Sequence, residues 1–184
     1  EAGLTPGPRI YRTGPYLNGG PPLPGNQRIV NDPEEVRRVI RYWFSEGATW
    51  MKFVGGTSRE VLAAGIDEAH RLGAERTVII GMDSPHLGPR RWESAFAALE
   101  DHDVCLGPCE DGGYYLIGLR APQPALFKDI PWGGPDVADA TRARVASLGL
   151  SLAELEEDFD VDEVEDLARL AARLEADPAG CPRT

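Results

Sequence analysis

Cysteine, histidine and long apolar runs are all scarce in this sequence. Its 184 residues contain three cysteines, three histidines and no uninterrupted apolar stretch of the roughly 18 residues that a membrane span requires. An odd, sparse set of cysteines does not make the disulfide framework of a small secreted protein and is typical of a reducing compartment. The N-terminal segment has neither the basic nor the apolar region of a signal peptide. We therefore predict a cytoplasmic protein with no membrane partner.

Basic residues are also scarce in the second part of the chain. The net charge is −11, and residues 74–184 carry 10 Lys/Arg against 22 Asp/Glu, whereas residues 1–73 carry 9 against 8. Such a surface repels a nucleic-acid backbone, so nucleic acid is excluded as a partner. A polyanionic ligand would need a metal ion between itself and the protein. Simple solubility is the alternative explanation of the charge.

The sequence does have alternating strand and helix patterns. Apolar residues at helical spacing, with capping residues before them, predict helices over about residues 32–46, 58–72, 89–100, 135–148 and 162–176. Short apolar runs predict strands over residues 9–13, 49–54, 78–80, 103–106 and 114–119. This alternation favours a single α/β domain over residues 1–184, a three-layer sandwich with a mostly parallel sheet between helices. Ligands of such sheets bind beyond the carboxyl ends of the strands.

Carboxylates lie at several of these predicted strand ends. Asp83 ends the segment TVIIGMD, whose apolar run VII we expect to be covered on both faces, and Glu110 and Asp111 lie between two strands in LGPCEDGGYYLIGL. Asp160 and Asp162 alternate in EDFDVDEVEDL, and alternate residues of an extended segment point to the same side. Hard divalent cations such as Mg²⁺ prefer oxygen ligands, usually one or two carboxylates together with substrate phosphates. The pattern therefore favours a metal site.

Each of these residues also has a purely structural interpretation. Asp83 could be part of a turn that is capped by its own side chain and that of Ser84. Asp162 could cap the last helix, with Glu165 completing a capping box. The pair Gly112–Gly113 could form a tight turn. The pattern of residues alone leaves these interpretations open.

The second part of the chain resembles a bacterial family of glycosyltransferases with the GT-A nucleotide-diphospho-sugar transferase fold. The motifs IGMDSP, LGPCEDGGYYLIGL, an IPW…V…T stretch and DVDxxxDL carry the resemblance, in the order and at the spacing of the family, over about residues 74–172. The resemblance implies a GT-A/Rossmann-like fold and a nucleotide-diphospho-sugar ligand that is bound through Mg²⁺ or Mn²⁺. One departure is Glu163-Val164, where the family usually has Thr-Pro.

The same resemblance implies roles for individual residues. Asp83 would help to hold the metal or the sugar nucleotide, with Asp160 and Asp162 near the same cleft as further metal ligands. Asp83 and Asp111 would be the catalytic residues. The sugar or acceptor side would be bound by Glu110, Gly112, Gly113, Tyr114 and Trp132. A buried core position is the alternative interpretation of Trp132.

Residues 1–73 resemble a section of the metal-dependent amidohydrolases related to imidazolonepropionase and prolidase. The segments AGLTPGPRIYRTGPYLNGG, EGATWMKFVGG and SREVLAAGIDEAHRLG carry this resemblance. It implies that Lys52 matches a carboxylated lysine that bridges two metal ions in several of those enzymes. The histidines of that metal site are absent from the matching strand ends, so an ordinary strand-end lysine is the favoured interpretation of Lys52.

Together the two resemblances predict a composite domain, amidohydrolase-like over residues 1–73 and GT-A-like over residues 74–184. Nothing in residues 1–73 matches the loop with which the glycosyltransferase family binds its nucleotide. The leading hypothesis is a glycosyltransferase-like protein that binds a nucleotide-diphospho-sugar through a divalent metal, its activity reduced or lost with that loop. The alternatives are a catalytically silent chimera and a residual amidohydrolase. A strand edge exposed in the first part would permit a homodimer.

Overall fold

The computed structural model describes residues 12–21, 25, 27–54 and 56–176. The chain divides into two compact units, Glu1–Ala74 and Glu75–Thr184, each of which is described by itself. Residues 9–11 of the first predicted strand lie outside the described residues. Within the described part of the chain, no helix is both long and apolar enough to cross a bilayer.

The first unit combines short parallel strands with two helices. Its elements are β1 (Arg12–Thr13), β2 (Tyr16–Asn18), β3 (Gln27–Ile29), α1 (Pro33–Ser45), β4 (Ala48–Trp50), β5 (Phe53–Val54) and α2 (Arg59–Arg71). Strand β1 pairs with β4, and β2 pairs with β3 and β5, all in parallel.

The single strand predicted over residues 49–54 is wrong. The structure has β4 and β5 instead, separated by Met51 and Lys52, because the two halves of the segment pair with different strands. The backbone N–H of Leu17 in β2 donates to the carbonyl of Lys52 at 2.8 Å.

The two helices of the first unit confirm the capping pattern in the sequence. The Asp32 side chain accepts a hydrogen bond from the Glu35 N–H at the start of α1, and Ser58 accepts one from the Val61 N–H at the start of α2. The apolar faces of the helices and β2 share one buried core, which contains Leu17, Val30, Val36, Val39, Ile40, Val61 and Ala64.

A buried carboxylate joins these helices. Glu68 of α2 is 1% exposed and accepts hydrogen bonds from Arg41 Nε of α1 at 2.7 Å and from Arg71 Nε at 3.0 Å. The hydrogen bonds from Arg71 and then Arg41 outweigh the effect of burial and lower the pKa of Glu68 to about 2. Glu68 is therefore a charged contact between the two helices.

The second unit is built on a four-stranded mixed sheet. Its elements are β6 (Thr77–Ile80), α3 (Pro89–Ala98), β7 (Val104–Pro108), β8 (Tyr114–Leu119), a 3₁₀-helix (Pro124–Phe127), α4 (Val137–Ser147), β9 (Leu152–Glu154) and α5 (Asp166–Ala176). The strand order is β6-β8-β7-β9. Strand β8 is antiparallel to both β6 and β7, and β9 is parallel to β7.

Helices pack on both faces of this sheet. Cys105 and Leu116 belong to a core cluster with residues of α3, whereas their chain neighbours Val104 and Ile117, which point to the opposite face, belong to a cluster with residues of α4. Four of the six described strand pairings in the two units are parallel. The α/β prediction with a mostly parallel sheet is confirmed.

Two sequence predictions for the second unit are corrected. Strand β6 is not covered on both faces: all four of its residues are half-buried, because it lies at one end of this four-stranded sheet and the central β7 and β8 take the buried positions. Helix α5 begins at Asp166 rather than Asp162. The Asp166 carboxylate accepts the N–H groups of Asp162 and Glu163, and among the described residues the Asp162 carboxylate accepts no N–H of the first helical turn, so its side chain is not the cap.

The turn between β7 and β8 fixes the position of Asp111. Asp111 Oδ1 accepts the N–H of Gly113 at 2.8 Å, and Gly112 has a φ of +91°. A Cβ atom on Gly112 would lie 1.8 Å from the carbonyl oxygen of Pro135, while the carbonyl of Gly112 accepts the N–H of Ala138 at 2.8 Å. The tight-turn interpretation of Gly112–Gly113 is confirmed, and the turn packs directly against the start of α4.

We expect Glu68→Gln to lower the free energy of unfolding by about 2 kcal/mol at pH 7, less than for a fully buried pair because Arg41 and Arg71 are partly exposed. Because the folded-state pKa lies below the usual 4.5, the wild type keeps this contribution above pH 4.5 and loses it as the pH falls toward 2. Urea unfolding at pH 7 and near pH 3 should show a smaller difference between the two proteins at the lower pH. Glu34→Gln, at an exposed ion pair, should change stability little. An equal difference at both pH values would contradict the prediction.

We expect Gly112→Ala to destabilise the second unit by more than about 3 kcal/mol or to prevent its folding, since the new Cβ meets a backbone oxygen and the φ is positive. Gly133→Ala is a matched control. Its φ is +80°, but no atom lies within 4 Å of the added Cβ, so the cost should be only about 1–2 kcal/mol. Thermal unfolding of both variants measures the difference, and similar losses in the two would show that the contact with Pro135 is unimportant.

Candidate functional site

Three carboxylates converge just beyond β6 in the second unit. Asp83, Asp160 and Asp162 each offer one oxygen, and these oxygens lie within 4.8 Å of one another. Asp83 and Asp162 are exposed, and Asp160 is half-buried. We call these three residues the carboxylate cluster.

Backbone hydrogen bonds bring the cluster together. Beyond β9, the chain continues along β7 as far as Asp158, whose N–H donates to the carbonyl of Pro108 at 3.1 Å and whose carbonyl accepts the N–H of Glu110. The N–H of Val161 then donates to the carbonyl of Asp83 at 2.8 Å. Asp160 and Asp162 flank Val161, so this single hydrogen bond places both of them beside the end of β6.

The capping alternative for Asp83 has no support in the geometry. Among the described residues, the Asp83 carboxylate accepts no hydrogen bond from its own turn, and the buried Ser84 Oγ has no hydrogen-bond partner. Among the described residues, the Asp162 side chain likewise accepts no hydrogen bond from the first turn of α5, while Asp166, the first residue of that helix, accepts the N–H groups of Asp162 and Glu163. The cluster therefore has no local structural explanation in these two turns.

The cluster concentrates negative charge. Burial first, and then the nearby charges of Asp111, Asp162 and Asp83, raise the pKa of Asp160. Cys109 Sγ lies within 4.8 Å of carboxylate oxygens of Asp111 and Asp160, and burial together with these acids raises the pKa of that thiol. A bound cation would relieve this repulsion. Three carboxylate oxygens suit a hard divalent ion such as Mg²⁺ or Mn²⁺, so the residues fit the predicted cofactor.

A pocket of about 500 Å³ adjoins the cluster. Its lining residues are Asp111, Gly113, Tyr114, Trp132, Gly133, Gly134, Pro135, Val137, Asp160 and Asp162. The Trp132 ring packs edge-on against Tyr114, at a centroid distance of 6.3 Å, and lies near-parallel to Phe127 at 6.5 Å. Trp132 is 37% exposed, so it is not an ordinary core residue. We call this cavity the aromatic pocket.

Three residues from the sequence prediction lie elsewhere. Glu110 does not line the aromatic pocket, and its carboxylate forms a double ion pair with Arg169 of α5, one contact of which is 2.7 Å. Gly112 shapes the turn and does not line the pocket. Lys52 lies in the first unit, where its Nζ is 4.5 Å from the centroid of the Tyr16 ring.

The sequence did not reveal the role of Asp158. This residue is 4% exposed, and its carboxylate lies 3.1 Å from His86 Nε2 and accepts hydrogen bonds from Arg91 and Arg173, each at 3.0 Å. Burial disfavours its charge, but the Phe159 N–H and His86, together with the positive charge of Arg173, lower its pKa. Asp158 alternates with Asp160 and Asp162 in sequence, yet no pattern shows that its partners come from α3, α5 and the segment after β6.

Comparisons with known proteins agree on the class of protein. A bacterial family described as "Uncharacterized protein conserved in bacteria (DUF2064)" matches residues 24–134. A phosphoenolpyruvate guanylyltransferase from Sphaerobacter thermophilus is 31% identical over 150 residues, which cover 78% of this chain and 67% of the relative. A solved structure from Desulfovibrio desulfuricans, provisionally described as a nucleotide-diphospho-sugar transferase, matches with a TM-score of 0.61 and 27% identity over 84% of this chain and 72% of that one.

These matches confirm the GT-A/Rossmann-like fold and the likeness to nucleotide-dependent transferases. The family match spans residues 24–134 and so includes residues 73 and 74, where the sequence analysis placed a junction. The comparisons therefore give no support to an amidohydrolase-like first part or to a composite origin. Because the family match covers more than half of the chain, the protein belongs to the bacterial family described as DUF2064.

Proposed function

We propose that this protein is a divalent-cation-dependent transferase whose donor substrate is a nucleotide-diphospho-sugar. The observation that carries the proposal is the carboxylate cluster, in which Asp83, Asp160 and Asp162 converge beside a pocket of about 500 Å³. The two named relatives, one a guanylyltransferase and the other provisionally a nucleotide-diphospho-sugar transferase, support the nucleotide as part of the donor.

The cluster would hold Mg²⁺ or Mn²⁺ through its carboxylate oxygens. A cation bound there would offset the charge of the diphosphate and would stabilise it as a leaving group. The protein contributes the positions of its ligands: the Val161–Asp83 hydrogen bond fixes the backbone between Asp160 and Asp162 before any substrate binds.

Asp111 is the candidate catalytic base. Its Oδ1 is fixed by the Gly113 N–H, and the residue lines the aromatic pocket together with Asp160. In the transfer step, the hydroxyl oxygen of the acceptor forms a bond to the anomeric carbon while the bond from that carbon to the diphosphate oxygen breaks. The hydroxyl proton passes to Asp111, and the nucleoside diphosphate leaves.

Guanylyl transfer is the second candidate function. The relative from Sphaerobacter thermophilus favours it, since that protein is named for transfer of guanylyl to phosphoenolpyruvate. A cation at the same cluster would serve this reaction as well, but the product released from GTP would be pyrophosphate.

The other hypotheses from the sequence have less support. The described contact of Lys52 is with an aromatic ring, and we do not propose an amidohydrolase activity. A catalytically silent protein is the outcome that the experiments below would reveal, and a homodimer stays a prediction.

We expect the protein to bind Mn²⁺. Each of three substitutions should weaken that binding by more than about tenfold, because each removes the charge of one ligand: Asp83→Asn, Asp160→Asn and Asp162→Asn. Calorimetric titration measures the affinity, with Asp101→Asn as a control at an exposed site outside the cluster. Metal binding requires deprotonated carboxylates, and the pKa of Asp160 is raised. As the pH is lowered, the affinity for Mn²⁺ should therefore begin to decline at a higher pH than it would with an ordinary aspartate at this position. If the wild type binds no Mn²⁺, or if the three variants bind it as well as Asp101→Asn does, the metal site is wrong.

We expect incubation with Mn²⁺, a panel of UDP- and GDP-sugars and a panel of hydroxyl-bearing acceptors to release nucleoside diphosphate as the sugar passes to the acceptor, and incubation with Mn²⁺, GTP and phosphoenolpyruvate to release no pyrophosphate. Coupled assays for the two products separate the two candidate functions, with Asp111→Asn as the variant that should lower the first activity. Pyrophosphate release alone would replace the proposal with guanylyl transfer, and no release of either product would favour a silent protein.

A further inference from the structure

We infer that the first unit has a ligand site of its own, a cavity of about 570 Å³ that takes a planar ring carrying a phosphate or carboxylate group. The cavity is lined by α1, by β3 and by the residue before β2, and we call it the arginine pocket. Its lining includes Pro15, Arg28 of β3, and Arg38, Val39, Tyr42 and Trp43 of α1. This site is independent of the proposed function, which concerns residues of the second unit.

The arginine pocket lies at the amino ends of its strands. Pro15 directly precedes β2, and Gln27 and Arg28 are the first two residues of β3, which pairs in parallel with β2. Ligands of open α/β sheets bind beyond the carboxyl ends of the strands, which for β2 and β3 lie at Asn18 and Ile29. A molecule in the arginine pocket would therefore be additional to a substrate in the usual position.

Helix α1 contributes two neighbouring ridges of side chains to the pocket. Arg38 and Tyr42 are four residues apart, as are Val39 and Trp43, so each pair lies along one side of the helix. The second ridge is well fixed, since Val39 is buried and a Cβ atom on Gly14 would lie 3.1 Å from Trp43 Cγ. Tyr42 meets the Trp43 ring edge-on at a centroid distance of 5.3 Å and is 58% exposed. The Tyr42 ring is thus accessible to a planar ligand.

The charges of both arginines are available to an anion. Arg38 is exposed and forms no ion pair with the described residues, whereas the other arginines of α1, Arg37 and Arg41, pair with carboxylates of α2. Arg28 pairs with Glu35 at 3.5 Å, but its side chain is 56% exposed. An exposed pair of this kind contributes little to stability, so a ligand anion can replace Glu35 at little cost.

The combination of groups indicates the class of ligand. A guanidinium group binds a phosphate or a carboxylate through two parallel hydrogen bonds, and aromatic rings stack on or meet other rings edge-on. Arg28 and Arg38 lie on different walls of the pocket, and no acidic residue is among its described lining residues. An inorganic anion would leave the aromatic wall unused, and an uncharged ring would leave the arginines unused. A ring with an anionic group uses both.

The test uses two probes of this chemistry, adenosine monophosphate and benzoate, on the full chain in the presence of EDTA. Adenosine, inorganic phosphate and benzyl alcohol are matched compounds that lack either the anion or the ring. We expect at least one probe to bind with a dissociation constant of about 1 mM in ligand-detected NMR, and its matched compounds to bind at least about tenfold more weakly. Binding of one probe alone identifies the source of the anionic group as a nucleotide or an aromatic acid. Binding of neither would overturn the inference.

Substitutions at exposed positions test the site without disturbing the core. Arg38→Gln should weaken binding of the probe by about tenfold, because it removes a charged hydrogen-bond donor. Arg90→Gln is the matched control, an exposed arginine of α3 outside the arginine pocket. Tyr42→Ala should weaken binding several fold and Tyr42→Phe much less, since the ring rather than the hydroxyl meets the ligand. Binding that Arg38→Gln leaves unchanged would contradict the site.

The site is also distinguishable from the carboxylate cluster. Binding should need no Mn²⁺ and should persist in Asp160→Asn, and the largest shifts in protein-observed NMR should fall on residues 27–28 and 38–43. A probe that binds only with Mn²⁺ and an intact Asp160 would place the ligand at the cluster and overturn the inference. Binding that depends on Arg38 in a protein that binds no nucleotide-sugar would leave this site standing while the transferase proposal fails.

Discussion

The position of the carboxylate cluster depends on the buried carboxylate of Asp158. This group is almost fully removed from water, so its charge is tolerable only because His86 and the guanidinium groups of Arg91 and Arg173 surround it. Those partners come from α3, from α5 and from the segment after β6. The charge of Asp158 therefore connects three separate parts of the second unit to one position in the chain. That position lies two residues before Asp160, a proposed metal ligand.

The site itself requires like charges to be held close together, which opposes folding. The raised pKa of Asp160 reflects burial and that repulsion. Two residues earlier, the pKa of Asp158 is lowered, because hydrogen bonds and the charge of Arg173 outweigh its burial. The backbone must therefore hold the carboxylates together against their mutual repulsion. Two contacts of the backbone do so, namely the Val161–Asp83 hydrogen bond and the pairing of Asp158 with the end of β7. The arrangement resembles a preorganised cation site, where the cost of assembling the ligands is met during folding.

The sequence predicted those features that depend on neighbouring residues. The caps Asp32 and Ser58 lie next to their helices, so α1 and α2 were located closely, and the acids that converge were all named. Long-range pairing was not predictable. The antiparallel pairing of β8 with β6, the division of residues 49–54 between two strands and the capture of Glu110 by Arg169 each depend on partners distant in sequence. The family resemblance added the fold, and local pattern alone left the metal and turn interpretations of each acid open.

Glycosyl transfer and guanylyl transfer place similar demands on the cluster, because in both a nucleotide carrying adjacent phosphates must be bound and its leaving group stabilised. Under the proposed function, one carboxylate site would serve either of the reactions for which the two named relatives are described. The discrimination between the reactions has to come from the surface that meets the other substrate. Under the proposed function that surface is the aromatic pocket, whose acids are positioned by the Asp111 turn and by the segment after Asp158. That turn requires a glycine at position 112 against Pro135, so the backbone contact that shapes the hairpin also positions the Asp111 carboxylate in the pocket.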